Sequence, residues 1–271
     1  MKGLRFGICE WCLPEVGPYV CRLAADAGLD GVSLDMGTRK GGLRLADPRI
    51  RRFYMEEAQR SGVEYCAIAL NVFGEGCTLL HPEDAREREL ACRVLDEAVA
   101  AAAEMSVSLL QVPSFYGNAM ANREDMEASA FYFRYACERA EARGVTIATE
   151  NTLSADAQEE LLALVDRPNF GLCFDTQNAV FFGGDDPVAM ARRLAGSIRQ
   201  IHVKDGTEAG LGNRAFGQGH ARIDECLTAI REIGYEGWIV LENNYAGWLT
   251  EALPSLQADL KRVRQAFEAS V

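Results

Sequence analysis

Eight short apolar runs, each followed by a long amphipathic stretch, recur along this 271-residue chain, and no other feature constrains its fold as strongly. The runs are Arg5–Cys9, Gly31–Asp35, Tyr65–Asn71, Ser108–Pro113, Val145–Glu150, Phe170–Asp175, Ile198–Val203 and Trp238–Glu242. They are short and mostly apolar, as parallel strands buried on both faces are. Helical patterns follow them over Pro18–Ala27, Arg49–Arg60, Pro82–Met105, Arg123–Ala142, Ala155–Leu164, Pro187–Ala195, Ile223–Ile233 and Thr250–Glu268. Several of these stop at a glycine, as helix C-termini do. Alternation of this kind implies a parallel sheet with helical crossovers. Eight repeats favour a closed barrel, so the expected fold is α/β, a single (β/α)₈ TIM barrel over residues 1–271. A chain of this length suits that fold, which runs to about 250 residues.

Composition narrows the function classes. Hydrophobic residues make up 48% of the chain, enough for a sizeable core, and the net charge is −12. So acidic a surface repels phosphate backbones and anionic lipid, which argues against nucleic acid or a membrane as partner. No apolar stretch is long enough to span a bilayer and no secretory leader is evident, so a cytoplasmic location is expected. The nine cysteines form no regular framework and read as reduced, buried thiols. Cys9-Glu10-Trp11-Cys12 has CxxC spacing, but no second pair follows to complete a zinc site. No GxGxxG follows the first strand and no GxxxxGK[ST] occurs, so neither a dinucleotide nor a Walker-type site is supported.

In a barrel of this type the chemistry lies at the C-terminal ends of the strands. There the fifth run ends Thr149-Glu150-Asn151 and the sixth Phe174-Asp175-Thr176-Gln177-Asn178. The seventh carries Ile201-His202-Val203-Lys204-Asp205 and the eighth ends Leu241-Glu242-Asn243-Asn244. Alone, each acid would read as a helix cap or salt-bridge partner, and the histidine as a hydrogen-bonded core residue. Together, three crowded carboxylates raise one another's pKa, and a divalent cation resolves the conflict. Two Glu, one Asp and one His suit Mn²⁺ first, with Mg²⁺, Co²⁺ or Zn²⁺ as alternatives, and thiol ligands are not expected. Trp11, Phe73, Phe115 and Tyr116 follow strands and are candidates for a pocket wall. His220 reads as a solvated loop residue.

The pattern Thr149-Glu150-Asn151, Phe174-Asp175-Thr176-x-Asn178, Ile201-His202-Val203-Lys204-Asp205, Gly217-Gln218-Gly219 with Ile223-Asp224, Gly234-Tyr235-x-Gly237-Trp238 and Leu241-Glu242 resembles the xylose-isomerase-like sugar phosphate isomerase/epimerase family. That family includes ketose 3-epimerases and inosose dehydratases. The motifs cover the second half of the barrel, and the first half matches in rhythm only. The resemblance implies Glu150, Asp175, His202 and Glu242 as ligands of one divalent metal. It also implies Glu150 and Glu242 as the acid–base pair, acting through a cis-enediolate formed by proton abstraction α to a carbonyl. Arg214, Lys204, Asn178 and Trp11 are the candidate substrate contacts, with pairing to Asp205 the alternative for Lys204. The substrate implied is a small sugar, sugar phosphate or polyol, and dimers or tetramers are implied as well.

The sequence also departs from the epimerase pattern. Gln177, Asn178, Ala179 and Val180 stand where a His commonly follows the strand-six Asp, Asn151-Thr152 follows Glu150, and Phe216 replaces a Pro. These departures keep a lyase open as an alternative, of inosose-dehydratase or carbon–glycoside-cleaving type, because loss of a β-hydroxyl follows the same proton abstraction. An apurinic endonuclease on the same barrel needs a His-rich trinuclear zinc cluster, and this chain has only His81, His202 and His220. A non-catalytic sugar-binding barrel would have no need of the crowded charges.

Overall fold

The computed structural model describes residues 3–75, 77–182 and 185–268. Eight parallel strands close into a barrel in chain order: β1 (Leu4–Cys9), β2 (Gly31–Asp35), β3 (Glu64–Ala69), β4 (Leu109–Ser114), β5 (Thr146–Asn151), β6 (Phe170–Asp175), β7 (Ile198–Val203) and β8 (Gly237–Leu241). The helices between and after them are α1 (Val20–Ala27), α2 (Pro48–Ser61), α3 (Ala85–Glu104), α4 (Arg123–Glu141), α5 (Ala155–Val165), α6 (Asn178–Phe181), α7 (Pro187–Arg193), α8 (Ile223–Glu232) and α9 (Ala252–Glu268). β2, β6 and β7 have the expected bounds. β3 stops at Ala69, short of the expected Asn71, because Asn71–Glu75 winds into a 3-10 turn. The short helix α6 has no counterpart in the apolar periodicity.

Residue contacts divide the chain into two compact units. The first comprises Met1–Ser33, Glu56–Glu64 and Phe174–Val271. In it β1 pairs with β8 from Leu4↔Gly237 to Ile8↔Leu241, and β7 pairs with β8 from Ile201↔Ile239 to Val203↔Leu241. α9 buries Leu256, Leu260, Val263 and Phe267, spaced four, three and four apart along one helical face. Removing such a side chain from water is worth about 1.5–3 kcal/mol. α1 ends at Gly28, whose φ of 84° is left-handed and would strain a residue with a side chain.

The second unit comprises Leu34–Met55 and Tyr65–Cys173. β4 and β5 pair from Leu109↔Thr146 to Ser114↔Asn151, and β5 pairs with β6 from Ile147↔Phe170 to Thr149↔Leu172. Ala67, Leu109, Ala148 and Cys173, one from each of β3 to β6, form a buried cluster. Side chains start the helices: Asp84 accepts the Arg86 and Glu87 N–H groups ahead of α3, Asn122 that of Asp125 in α4, and Ser154 that of Ala157 in α5. Each such cap is worth about 1 kcal/mol. Among the described residues no helix is long and apolar enough to cross a membrane.

Candidate metal centre

Asp175, the last residue of β6, is buried and divides its two oxygens between different tasks. Oδ1 accepts the backbone N–H groups of Gln177 at 2.8 Å and Asn178 at 2.7 Å. Those bonds turn the chain into α6, which is why a helix begins where no apolar pattern announces one. Oδ2 lies 3.2 Å from the ammonium of Lys204. Lys204 follows β7 and is buried. Its backbone N–H donates to the Thr176 hydroxyl at 2.9 Å, and the same hydroxyl donates to the Lys204 carbonyl at 2.8 Å. Its ammonium donates to Glu242 Oε2 at 3.0 Å and so bridges two carboxylates. The alternative open from the sequence is a pair with Asp205. Asp205 is occupied by the backbone N–H groups of Gly206, Gly217, Gly219 and Ala221.

Glu242 follows β8 and is half-buried. Besides Lys204, it meets His202 Nδ1 at 3.1 Å through Oε2, and its Oε1 accepts the indole N–H of Trp11 at 3.1 Å. Burial alone would raise its pKa, but the charges of Lys204 and His202 outweigh that and hold the carboxyl well below the usual range. Glu242 is therefore ionised at neutral pH. His202, fully buried in β7, has its other nitrogen, Nε2, 3.2 Å from Gln200 Oε1. Each ring nitrogen of His202 thus meets an acceptor, Nδ1 the Glu242 carboxylate and Nε2 the Gln200 amide oxygen, as suits a protonated imidazole in the metal-free protein.

The donors Asp175, His202 and Glu242 each offer a ligand atom, and these atoms lie within 4.8 Å of one another. Ligands about 2.1 Å from a shared ion stand at most about 4.2 Å apart, so closing on an ion asks for a contraction of no more than about half an ångström. Two hard oxygen donors and one imidazole nitrogen fit a divalent cation, and the ammonium of Lys204 already shows a cation accommodated beside the two carboxylates. No thiol was expected at this rim, yet Cys9, at the end of β1, sets its Sγ 4.0 Å from His202 Nε2. This proximity is not legible in the sequence, where Cys9 reads locally as one more apolar strand residue.

Glu150, near the end of β5, is also buried, and its Oε2 accepts from the side-chain amide of Gln111 in β4. The β5–β6 register runs to Thr149↔Leu172, one residue short of Glu150, and β6 continues from Leu172 to Asp175. The other candidates fare differently. Trp11 touches a site carboxylate by hydrogen bond rather than forming a plain apolar wall. Asn178 is buried at the start of α6, its backbone bonded to Asp175. Arg214 is exposed and donates to the carbonyl of its neighbour Asn213 at 2.8 Å. Phe73 is packed into the interior, Phe115 is half-buried and Tyr116 is exposed. His220 is exposed beside Glu208. All nine cysteines are free thiols.

Sequence reasoning missed Gln111 and Gln200. Both are polar side chains at fully buried strand positions, and Gln200 precedes His202 by two, on the same strand face. A glutamine interrupting an apolar run was the available signal. Missed too was the network behind the rim. Asp259 of α9 accepts from the Phe216 N–H at 3.0 Å, the Asn243 amide at 3.0 Å and the Tyr245 hydroxyl at 2.9 Å. Asn243, next to Glu242, also donates to the Arg214 carbonyl and accepts from the Asp205 N–H.

Comparison with known proteins gives a consistent result. A family model described as xylose isomerase-like TIM barrel matches residues 21–266. A 2-epi-5-epi-valiolone 7-phosphate 2-epimerase from an Actinoplanes species is 33% identical over 97% of this chain and 94% of its own length. An inosose dehydratase from Bacillus anthracis is 25% identical over 49% of this chain and 52% of its own. Among solved structures, the IolI protein with a bound zinc atom superposes with a TM-score of 0.77 at 18% identity, covering 98% of this chain and 100% of that one.

Proposed function

Because the chain belongs to the xylose isomerase-like TIM barrel family, we propose that it is a divalent-metal-dependent epimerase or isomerase of a hydroxy-carbonyl compound, with Glu150, Asp175, His202 and Glu242 as the metal ligands. The observation that carries this reading is the convergence of Asp175, His202 and an ionised Glu242 within ligand-to-ligand distance of one another. Glu150 joins them in the proposal because it lies next to the last residue of β5, the strand beside β6 in the barrel order. Mn²⁺ is the first choice of ion for such a set, with Mg²⁺, Co²⁺ and Zn²⁺ as alternatives. Bound there, the ion would act as a Lewis acid on the substrate carbonyl and the neighbouring hydroxyl.

The protein's own residues do the proton work. One of Glu150 and Glu242 takes the proton from the carbon beside the carbonyl, and the C–H electron pair moves toward the carbonyl oxygen to give an enediolate. The other returns a proton to the opposite face of that carbon, giving the epimer, or to the adjacent carbon, giving the isomer. β5 and β8 stand three places apart in the strand order, which supports two bases addressing one planar intermediate from different sides. Trp11 fixes the direction of the Glu242 carboxylate, and Gln111 that of Glu150.

The 33% identity to a 2-epimerase of a cyclitol phosphate favours a phosphorylated cyclic hydroxy-ketone over an open-chain ketose. Incubation of the Mn²⁺-loaded protein in D₂O with cyclic keto-polyols, ketoses and their phosphates, followed by NMR, tests the proposal. Metal-dependent deuterium uptake at one C–H with an epimer appearing is the expected result. Exchange accompanied by loss of water would establish the lyase reading, which the partial likeness to inosose dehydratases favours. Bound metal without exchange on any of these compounds refutes both.

A further inference from the structure

Lys204 holds a position that a metal site does not ordinarily give to a lysine. Its ammonium lies 3.2 Å from Asp175 Oδ2 and 3.0 Å from Glu242 Oε2, oxygens of two residues of the proposed ligand set. The side chain is buried: 7% exposed for Lys204 and 1% and 12% for its two partners. It has little freedom to swing into solvent, because the residue is anchored at the strand end by two backbone bonds to Thr176. Trp11 engages the other Glu242 oxygen and the Gln177 and Asn178 N–H groups the other Asp175 oxygen, so Oδ2 and Oε2 are the oxygens left to face a cation.

From this geometry we infer that Lys204 is the centre's internal counter-ion: its ammonium neutralises Asp175 and Glu242 when no metal is bound, and it competes with the metal for the same two oxygens. The inference rests on the metal-centre reading and extends it. Two buried carboxylates without a cation repel each other and cost stability, so the lysine keeps the metal-free protein folded with its ligands already gathered. The same positive charge then opposes an arriving dication, which must share Oδ2 and Oε2 with it. The protein thereby gives up metal affinity in exchange for a pre-shaped, metal-free state. In the loaded state the ammonium, relieved of its share of the carboxylates, is a donor at the rim for an anionic or hydroxyl group of the substrate.

The test compares wild type, Lys204→Met and Lys204→Arg, using Mn²⁺ alone as probe. Affinity is measured by equilibrium dialysis at one fixed pH, and thermal midpoints are taken with and without saturating Mn²⁺. Lys204→Met should bind Mn²⁺ about tenfold or more tightly than wild type. Its midpoint should fall without metal and recover with it, giving a larger metal-induced rise than in wild type. Lys204→Arg, which keeps the charge, should remain near wild type in affinity. A Lys204→Met protein that folds only when Mn²⁺ is present would be the extreme form of the expected result. Unchanged or weaker Mn²⁺ binding by Lys204→Met overturns the inference, as does an equal loss of midpoint in both states or failure to fold in either. Absence of Mn²⁺ uptake by the wild type itself would remove the metal-centre reading and this inference with it. Uptake by wild type with unaltered affinity in the variant would remove only the inference.

Discussion

The indole N–H of Trp11 donates to Glu242 Oε1 at 3.1 Å, linking the loop after β1 to the residue that follows β8. The two strands are register-paired up to Ile8↔Leu241, and the bond joins them by side chains beyond that ladder, three residues on from Ile8 and one on from Leu241. A hydrogen bond to a charged group is worth about 1.5–3 kcal/mol. Trp11→Phe keeps an aromatic ring, though a smaller one, and deletes the donor. Its turnover should fall about tenfold to a hundredfold with the fold intact, and steady-state kinetics beside a circular-dichroism melt would check this. Unaltered turnover would mean that Glu242 needs no such orientation.

Glu150→Gln and Glu242→Gln should each retain the barrel and lose product formation by about 10²–10⁴-fold, the usual worth of a positioned acid or base. Deuterium incorporation into substrate, followed by NMR, separates the two roles. If one variant still washes deuterium into the starting material without forming product, the surviving glutamate is the one that removes the first proton.

Gln200→Ala removes the oxygen opposite Nε2 of His202. Partners of this kind, behind a ligand, typically govern metal affinity by about 10–100-fold. Mn²⁺ binding by Gln200→Ala should weaken by that order while the thermal midpoint of the metal-free protein changes little. Equal affinity would show that packing alone orients the ring.

Burial raises the Asp259 carboxyl above its ordinary value of 3.8, against bonds from Phe216, Tyr245 and Asn243 that pull it down. An acid with a higher pKa folded than unfolded contributes its full stability below the unfolded pKa and loses it as pH rises through the folded one. The stability of wild type relative to Asp259→Asn should therefore decline as the pH rises from about 4, the unfolded value. Urea unfolding of both proteins from that pH upward measures the difference, and a constant gap would place the Asp259 pKa near its unfolded value.

A methyl group on Gly219 would lie 2.2 Å from Asp205 Oδ1 and 2.5 Å from the Gly206 nitrogen and carbonyl oxygen, with little freedom for backbone to yield. Gly219→Ala should cost about 1–3 kcal/mol, the range for overpacking a tight site. Chemical denaturation would check this, and an unperturbed midpoint would show that the loop shifts without penalty.

The barrel was largely readable in the linear sequence because a strand buried on both faces leaves a local mark. Phe170–Asp175 and Ile198–Val203 are apolar runs whose ends coincide with the real strand ends. The acids and the histidine were readable because position at a strand end is also local. Pairing was not. Whether Lys204 turns to Asp205, its neighbour in sequence, or to Asp175 and Glu242, far from it in the chain, is decided by which groups the folded sheet brings close. Here the glycine N–H groups of its own loop had claimed Asp205 first. α6 escaped notice for a related reason, since a carboxylate starts it rather than an apolar face. Cys9 and Gln200 escaped because each looks like ordinary strand filling until His202 is set beside it.

The carboxylate of Asp205 gathers N–H groups from residues as far on as Ala221, and Asn243 clasps the same segment from the other side. A segment shaped by main-chain donors around one anion does not depend on the identity of most of its side chains. Ala209 and Gln218 are free to drift without unmaking the loop. New surfaces on this segment are thereby within reach of single substitutions, and the backbone shape that carries them is left undisturbed.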